Sequence, residues 1–312
     1  MTPHPPLLPN TRPPEEALFP GWADTQGAVD ILGSLDVSEF QAKGLRDLIV
    51  DGFTVLPAMQ SAAMCDAVVD DYARFSNERS TYVAENLDAL GREKRLVNFH
   101  LWSDHEMQIV TNPGVMAFLD LFFGETACVY TSLTFKFGTG QPIHRDTPHF
   151  ATWPQNRFCG VWTALEDISP DAGPLMYVRG GHRFDVDHRQ IMRDVRQNRS
   201  DLSPADQAML ALDLYNGKII DDAPGHGELL VKPIKKGDVV IWHAQAPHGG
   251  SPAVDPFRSR WSVVAHCAPE TIQVHQHDRF FMHDSDEPPP PRYGYREAYG
   301  RKIAVAGETA FM

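Results

Sequence analysis

Apolar and polar residues alternate at helical spacing in the first part of the chain. Ser38-Glu-Phe-Gln41 is a capping-box sequence in front of apolar residues at that spacing, which predicts a helix ending at Gly52. Helical spacing returns over residues 61–75, and a further helix is predicted over 112–123, where Asn-Pro provides a typical start. Residues 36–125 are therefore predicted to be mainly helical.

The spacing changes to a period of two from Val129 onward. Residues 129–137 alternate between two faces, as expected of a long strand in a sheet. Shorter strands, separated by Gly and Pro turns, are predicted over 52–57, 159–166, 174–178, 229–234, 238–243 and 260–267. Many short strands with turn signals are typical of a sandwich or barrel, so the predicted fold class is mainly β with flanking α-helices.

The same patterns predict one domain over residues 1–312. A Pro-rich N-terminal arm is expected over 1–35, a strand-rich core over 126–268 and a short tail over 269–312. A charged, helical insertion over 185–222 interrupts the strands of the core, with a helix start at Ser203-Pro204. This insertion is either a lid over a binding site or a surface decoration.

Composition narrows the classes of function. A net charge of −13 argues against a nucleic-acid partner, because a phosphate backbone selects a basic surface. The four cysteines show no short paired spacing, so we expect neither disulfides nor a zinc site, and a reducing cytoplasm fits. We find neither a signal-peptide pattern nor an apolar stretch of eighteen residues, so we expect no membrane span. The net charge gives no positive indication of a partner and mainly favours solubility.

Two distant segments carry candidate metal ligands. His144 and Asp146 are two residues apart, so on an extended strand both side chains point to one face. His248 follows the apolar strand predicted over 238–243 and supplies a second imidazole. Two imidazoles and one carboxylate hold Fe(II) on one face and leave the opposite positions open for oxygen and an oxo-acid.

An arginine near the second histidine completes this constellation. Arg260 lies twelve residues after His248, and a guanidinium pairs bidentately with the far carboxylate of an oxo-acid. Arg258 is a rival, but Ser262 shares the strand face of Arg260, and a hydroxyl together with a guanidinium suits one carboxylate.

Other placements of the metal are weaker. His226-Gly-Glu228 is also a histidine two residues from a carboxylate, but it lies in a loop rich in Gly and Pro with no Arg-x-Ser after it at a suitable distance. His243 alternates with core residues of its strand and is expected to pack behind the site or support it. An isolated His-x-Asp is weak evidence, and the combination with His248 and Arg260 makes it specific.

In these segments the chain resembles the phytanoyl-CoA dioxygenase family of Fe(II)/2-oxoglutarate-dependent oxygenases. The matching pieces follow the family's order: Gly52-Phe-Thr-Val-Leu-Pro57, His144-Arg-Asp146, Val161-Trp-Thr-Ala-Leu-Glu-Asp167, Gly173-Pro-Leu175, Gly180-Gly-His-Arg183, Lys236-Gly-Asp-Val-Val-Ile-Trp242, His248-Gly-Gly-Ser251 and Arg260-Trp-Ser262. The resemblance covers roughly residues 45–268. Arg145 and Gly181 depart from the residues that are common in relatives, and neither is a ligand.

The resemblance implies a fold, cofactors and a reaction. The implied fold is a double-stranded β-helix (jelly-roll, cupin-like) core with helices outside. Fe(II) would be bound by His144, Asp146 and His248, while Arg260 anchors 2-oxoglutarate. The expected reaction is hydroxylation of an unactivated C–H bond of a metabolite, with O2 as co-substrate and release of succinate and CO2.

Side chains around this centre are candidates for further contacts. Ser262 and Thr134 are expected to join Arg260 on the far carboxylate of 2-oxoglutarate. The candidate substrate contacts are Asn98, His100, Trp102, His149, Arg157 and Trp162, with Trp153 and Tyr177 as further possibilities. For the aromatic residues the alternative is core packing, and Arg157 could simply face water. The mixture predicts a medium-sized polar or amphipathic substrate.

Two other classes of function remain open from the sequence. One is a metal-dependent jelly-roll enzyme that uses no oxo-acid, in which Arg260-x-Ser262 would have no evident role. The other is a non-catalytic binding or sensor protein with a degenerate site, against which the intact set of three ligands argues. No coiled-coil heptads appear, so the sequence predicts no oligomeric state.

Overall fold

The protein is described here by a computed structural model that covers residues 21–232, 234–275, 280–281, 293–305 and 307–312. The helices are α1 (Ala28–Ser34), α2 (Glu39–Asp51), α3 (Ala62–Glu78), α4 (Ser80–Ala84), α5 (Asp104–Val110), α6 (Pro113–Phe123), α7 (His188–Asn198) and α8 (Pro204–Asp222). The strands are β1 (Phe53–Leu56), β2 (Leu96–Val97), β3 (Ala127–Phe137), β4 (Thr152–Trp153), β5 (Cys159–Ala164), β6 (Leu175–Val178), β7 (Leu229–Val231), β8 (Val239–His243), β9 (His248–Gly250), β10 (Ser259–Pro269), β11 (Gln273–Val274), β12 (Gly294–Ala298), β13 (Arg301–Val305) and β14 (Ala310–Phe311).

Two main sheets form the core. The large sheet has the order β1-β8-β5-β10-β3-β13-β12, and β2 joins it between β3 and β14. The small sheet has the order β7-β6-β9, and β4 pairs with β11 separately. Residues of both main sheets line one cavity, so the sheets are the two walls of a jelly roll. The predicted fold class is confirmed.

Local sequence signals explain where the helices begin and end. The Ser38 hydroxyl accepts a hydrogen bond from the Gln41 backbone N–H at 3.2 Å, and the Gln41 side chain accepts one from the Ser38 N–H at 3.0 Å. Gly52 closes α2 in the left-handed conformation, with φ of 82°. Ser203 caps α8, and Pro204 is its first residue. These predicted boundaries are confirmed.

A β-bulge in β3 changes which side chains face the cavity. Along the pairing with β10, His266 lies opposite Thr131 and Cys267 lies opposite Val129, so Tyr130 is the extra residue. Val129 packs in the core between the helices and the large sheet, whereas Tyr130 and Thr131 both line the cavity. After the bulge, Thr131, Leu133 and Phe135 line the cavity, whereas the hydroxyls of Ser132 and Thr134 donate to Glu106 of α5.

Both ends of the described chain depart from the predicted organisation. Residues 21–35, predicted as the end of the Pro-rich arm, form a 3₁₀ turn and α1, and the buried Trp22 indole donates to the Leu121 carbonyl at 2.9 Å. The predicted tail also joins the sheet, since Ile303 of β13 lies beside Val129 and Phe311 of β14 pairs with Leu96. Apolar side chains in both segments account for this packing. The sequence also predicts a break at 287–292, where a glutamate is followed by four prolines and an arginine. This segment and residues 1–20 lie outside the described residues.

The insertion over 185–222 contains α7 and α8. Both helices pack in an apolar cluster of their own, with Phe184, Val186, Phe280 and Phe281. A lid function for this segment stays a prediction. Within the described ranges, no helix is long and apolar enough to cross a membrane.

Candidate active site

The predicted metal ligands converge at the mouth of the jelly roll. His144 and Asp146 lie in the segment between β3 and β4, and His248 begins β9. The backbones of His144 and His248 exchange two hydrogen bonds, with N···O distances of 2.9 and 3.0 Å. This antiparallel bridge adds one residue pair at the edge of the small sheet and brings both imidazoles close to the carboxylate of Asp146.

The geometry of these three side chains fits a metal ion. Their ligand atoms all lie within 4.8 Å of one another. The Nε2 atoms of His144 and His248 are 3.7 and 3.5 Å from the Asp146 carboxylate oxygens. The Nδ1 atoms lie 2.8 Å from the Pro142 carbonyl and 3.0 Å from the Ala246 carbonyl, so they donate and leave Nε2 free to bind a metal.

The electrostatics of the site favour an anionic carboxylate at Asp146 and a neutral imidazole at His248. Burial by itself raises the pKa of Asp146, but His248, His144 and His266 outweigh burial and hold the pKa well below its ordinary value. Burial lowers the pKa of His248 to about 4. An ionised carboxylate and a neutral imidazole are the forms in which these side chains bind metals.

Two further side chains hold Asp146 in place. The Trp242 indole N–H donates to Asp146 Oδ2 at 3.0 Å, and His266 Nε2 lies 3.2 Å from the same oxygen. The His266 ring stacks on Phe150, with 3.6 Å between ring centroids. Gly160 lies directly across from Trp242, and a Cβ at Gly160 would come within 2.1 Å of the indole. The missing side chain of Gly160 is what lets the indole lie against β5 and reach Asp146.

The triad opens into a cavity of about 430 Å³ between the two sheets. Apolar and aromatic side chains form much of its wall, and polar side chains line the rest, among them the metal triad, Arg95, Asn98, Gln141, His149 and Arg260. Its lining residues from β3, β5, β8 and β10 include Tyr130, Thr131, Leu133, Phe135, Trp162, Trp242, Arg260, Val264 and His266.

Arg260 is a buried cation in the wall of this cavity. Its side chain is 3% exposed, and Nη1 donates to the Gly173 carbonyl at 2.9 Å. Its Nε has no hydrogen-bond partner, and among the described residues no carboxylate pairs with it. Burial lowers the pKa of Arg260 to about 10, so the guanidinium stays charged at neutral pH. The rival Arg258 is exposed at the surface.

The profile of a known family matches most of the chain. The family is described as Phytanoyl-CoA dioxygenase (PhyH), and the match covers residues 49–260. The chain belongs to the phytanoyl-CoA dioxygenase family. The matched segment contains all three candidate metal ligands and ends at Arg260.

Two curated relatives carry the family name. The chain is similar to "Phytanoyl-CoA dioxygenase domain-containing protein 1" of Danio rerio, at 29% identity over 106 residues, which is 34% of this chain and 31% of the relative. The protein of the same name from Bos taurus is 24% identical over 157 residues, 50% of this chain and 49% of the relative. The chain thus spans less than half the length of both relatives.

Solved structures share the fold of this family member. The carbocyclase SnoK from nogalamycin biosynthesis, described as α-ketoglutarate-dependent, is similar with a TM-score of 0.59 at 17% identity, over 83% of this chain and 94% of that one. The epimerase SnoN, solved with Fe3+, α-ketoglutarate and nogalamycin RO, has a TM-score of 0.60 at 15% identity over 85% and 98%. EctD from S. alaskensis, solved with 2-oxoglutarate and 5-hydroxyectoine, has a TM-score of 0.60 at 15% identity over 86% and 88%.

Three of the predicted substrate residues line the cavity, and three do not. Asn98, His149 and Trp162 lie in its wall. His100 instead contacts the Ser132 hydroxyl on the helix side of β3, with 2.7 Å from Nδ1 to Oγ, and burial lowers its pKa to about 3. Trp102 stacks on Phe99 in the helical core.

The prediction for Arg157 is also wrong. Its guanidinium donates to the Phe123 carbonyl at 3.2 Å and pairs with Glu125 at 3.3 Å, away from the cavity. Trp153 and Tyr177 are likewise absent from the cavity wall, although the hydroxyl of Tyr177 interacts electrostatically with Arg260.

The two predicted hydroxyl contacts of the oxo-acid differ in outcome. Thr134 faces the helices because of the bulge at Tyr130, and its hydroxyl donates to Glu106 at 2.7 Å, so the predicted role of Thr134 is wrong. Ser262 follows Arg260 on the cavity side of β10 and is fully buried, and its hydroxyl donates to the Arg260 carbonyl at 3.3 Å. Its contact with 2-oxoglutarate stays a prediction.

Sequence reasoning missed several side chains of the site. His266 lies on the same face of β10 as Arg260, and the period of two could have identified it. Arg95 lines the cavity from the segment before β2, and no local pattern indicates this. Four more lining residues come from the last part of the chain, which was predicted to be a tail: Val274, His275, Tyr293 and Met312.

The rejected metal placements are elsewhere in the structure. His226 is exposed and stacks on Phe184, and Glu228 pairs with Arg179 at the surface. His243 is buried, with Nε2 3.0 Å from the Asp24 carboxylate. Neither histidine belongs to the described group that could hold a metal.

Proposed function

We propose that this protein is an Fe(II)- and 2-oxoglutarate-dependent oxygenase that hydroxylates a C–H bond of a small-molecule metabolite. In this proposal His144 Nε2, His248 Nε2 and an Asp146 oxygen hold Fe(II). When bound, the metal and 2-oxoglutarate would supply, with O2 as the oxidant, oxidative decarboxylation to succinate and CO2, with one oxygen atom of O2 going to succinate and the other to the hydroxylated substrate.

The observation that carries the proposal is a group of buried donors without acceptors. Arg260 Nε and Trp162 Nε1 are both buried in the cavity wall, and neither has a hydrogen-bond partner among the described residues. Leaving such groups unpaired costs free energy, so they favour binding of an acceptor. A carboxylate supplies the two oxygens and the negative charge that this group lacks, and in the same cavity the triad offers a metal for the other end of a dicarboxylate.

The remaining lining residues serve this chemistry by position. Phe135, Val264 and Leu175 surround the cavity with apolar surface, which keeps water from the carboxylate of the oxo-acid and strengthens its pairing with Arg260. Trp242 and His266 donate to the Asp146 oxygen Oδ2 and so orient the carboxylate toward the metal.

The test is succinate formation by anaerobically purified protein that is supplied with Fe(II), 2-oxoglutarate and ascorbate and then exposed to air. We expect slow, substrate-independent turnover that falls at least about ten-fold in Arg260→Ala, because a charge-assisted pair is lost. Arg258 is an exposed arginine on the same segment, so Arg258→Ala is the matched control and should retain the wild-type rate of succinate formation. Turnover unchanged in Arg260→Ala would contradict the assignment.

The finer reaction is tested separately. The solved neighbours include an epimerase and a carbocyclase as well as EctD. Once a substrate is found, a product heavier by one oxygen atom would support hydroxylation. A product that has lost two hydrogens, or an isomer of the substrate, would overturn it while leaving the oxygenase assignment intact.

A further inference from the structure

The segment that carries the first two candidate metal ligands has a second face. His144 and Asp146 line the cavity, whereas Ile143 and Arg145 lie outside its wall. Because side chains alternate in extended chain, these two residues point to the opposite side. There Ile143 packs against the apolar cluster that contains α7 and α8, and Arg145 is fully buried. The insertion over 185–222 therefore covers the side of this segment that faces away from the cavity.

Arg145 joins the ligand segment to the insertion. Its Nη2 donates to the carbonyls of Gly181 and Phe184, at 3.0 and 2.6 Å, and its guanidinium carbon lies 4.1 Å from the centroid of the Phe184 ring. Burial raises the pKa of the Tyr215 hydroxyl in α8, and the neighbouring Arg145 guanidinium partly opposes this rise through its charge and a hydrogen bond. One side chain thus contacts both the residues that lead into the insertion and its second helix.

Gly181 extends this connection to the third candidate ligand. A Cβ at Gly181 would come within 2.9 Å of the Pro247 ring, so the missing side chain is what allows these two residues to lie in close contact. Pro247 immediately precedes His248 in the chain. Arg145 is therefore linked through Gly181 to the segment that holds His248, in addition to the two ligands on either side of Arg145 itself.

The charge of Arg145 does not balance a carboxylate. Among the described residues no acidic side chain pairs with it, and its Nε and Nη1 are buried without a hydrogen-bond partner. A buried cation costs free energy, which two carbonyls and an aromatic ring offset only in part. Apolar side chains in place of buried charges often leave a protein equally stable or more stable. The guanidinium therefore contributes to the position of the segments that it joins more than to stability.

We propose that Arg145 is a positioning residue that couples the α7–α8 insertion to the metal centre. The inference rests on the proposed function, because it requires a metal ion held by His144, Asp146 and His248. Metal binding fixes the two ligand segments against each other, and Arg145 transmits this restraint to the insertion. Because such coupling is reciprocal, the metal stabilises the ordered insertion by the same factor by which the ordered insertion raises metal affinity.

The experiment measures two quantities in wild type, Arg145→Met, Arg145→Lys and Arg193→Gln. The first is Mn(II) affinity, from isothermal titration. The second is hydrogen–deuterium exchange in α7 and α8, without metal and at saturating Mn(II), with exchange in α3 as the measure of any general stabilisation. Arg193 is exposed on α7 and donates to Gln190, so Arg193→Gln is the control for the loss of an arginine from the insertion. Urea unfolding checks that each variant is folded.

We expect Mn(II) to slow exchange in α7 and α8 of wild type at least about three-fold more than exchange in α3. Arg193→Gln should behave as wild type. Arg145→Met should bind Mn(II) about ten-fold more weakly and lose this extra protection, because it can no longer bind the two carbonyls. Arg145→Lys should fall between Arg145→Met and wild type, since an ammonium group donates to both carbonyls without the fixed geometry of a guanidinium.

Two results would overturn the proposal. One is Mn(II) affinity in Arg145→Met within about two-fold of wild type, since any loss of stability would then reflect a merely structural role. The other is exchange in α7 and α8 of wild type that Mn(II) slows no more than exchange in α3, a result that does not depend on whether Arg145→Met folds. Failure of wild type to bind Mn(II) would instead count against the proposed function.

Discussion

Two fully buried carboxylates lie on opposite faces of the large sheet, and their surroundings differ. Asp146, on the cavity side, is 6% exposed and is surrounded by the imidazoles of the candidate ligands His144 and His248, the Trp242 indole and His266. Glu106, on the helix side, is 0% exposed and accepts hydrogen bonds from the hydroxyls of Ser132 and Thr134 at 2.8 and 2.7 Å.

The difference teaches that burial alone does not make a carboxylate a site. Burial raises the pKa of Glu106 to about 7, and the hydrogen bonds from the hydroxyls only partly oppose it. At Asp146 nearby imidazoles reverse the effect of burial and lower the pKa. One carboxylate is therefore kept anionic and ready for a cation, while the other is a structural acid that links α5 to β3.

Substitution of each buried carboxylate tests this comparison, and we expect the larger loss of metal affinity at Asp146. Asp146→Ala should lower affinity for Mn(II), used as an air-stable substitute for Fe(II), by at least about a hundred-fold, and succinate formation should stop, because one of three ligands is lost. Glu106→Gln, at the other buried carboxylate, should leave Mn(II) affinity within about two-fold. Isothermal titration measures both. Wild-type Mn(II) affinity in Asp146→Ala would show that Asp146 is not a metal ligand.

Two indoles of the cavity provide the next test. Trp242→Phe removes the donor to Asp146 and should weaken metal binding about ten-fold or more, the usual cost of losing a group that orients a ligand. Trp162→Phe removes an N–H that has no partner in the described structure. It should leave metal affinity unchanged and weaken 2-oxoglutarate binding several-fold. If Trp242→Phe and Trp162→Phe lowered metal affinity and 2-oxoglutarate affinity equally, the two indoles would not have the separate roles proposed for them.

A substitution at Thr134 tests on which face of β3 its side chain lies. Thr134→Val keeps the shape of the side chain but removes a hydrogen bond to Glu106, so we expect stability to fall by about 1–3 kcal/mol. Affinity for 2-oxoglutarate should not change, because the bulge at Tyr130 turns Thr134 away from the cavity. Urea unfolding and the anaerobic absorption titration measure the two quantities. A clear loss of affinity at unchanged stability would place the hydroxyl in the cavity after all.

The smallest expected effect is the pH dependence of stability that Glu106 adds. Between its ordinary pKa of 4.5 and its raised pKa of about 7, the folded protein keeps a proton that the unfolded chain has released. The stabilisation is therefore fully present below about pH 4.5 and is lost as the pH rises through about 7. Between about pH 5 and pH 8, wild type should lose about 2 kcal/mol more stability than Glu106→Gln. Parallel profiles of the two metal-free proteins in urea unfolding would contradict the raised pKa.

The parts of the site that sequence could identify depend on strand periodicity. His144 and Asp146 are two apart on extended chain, and Arg260 shares its strand face with His266, which the same rule could have identified. Family motifs then order these pieces along the chain, and the family profile confirms the resemblance. The capping signals at Ser38 and Ser203 likewise predicted helix starts from local chemistry alone.

The parts that sequence could not identify depend on irregular backbone and on distant pairing. One extra residue at Tyr130 reverses the two faces of β3, and alternation by itself assigns Thr134 to the wrong side. The left-handed Asn98 and the following 3₁₀ turn direct His100 and Trp102 into the helical core. Met312 reaches the cavity beside Arg95 through the pairing of β14 with β2, a contact between distant parts of the chain.

The central claim is that one cavity binds a metal at the triad and an oxo-acid at Arg260. Its most direct test is an anaerobic titration of 2-oxoglutarate into Fe(II)-loaded protein, followed by the charge-transfer absorption that arises when the oxo-acid chelates the metal. We predict a saturable band in wild type and in Arg258→Gln, and at least about ten-fold weaker binding in Arg260→Gln. Absence of the band in wild type, or equal affinity in wild type and Arg260→Gln, would contradict the claim.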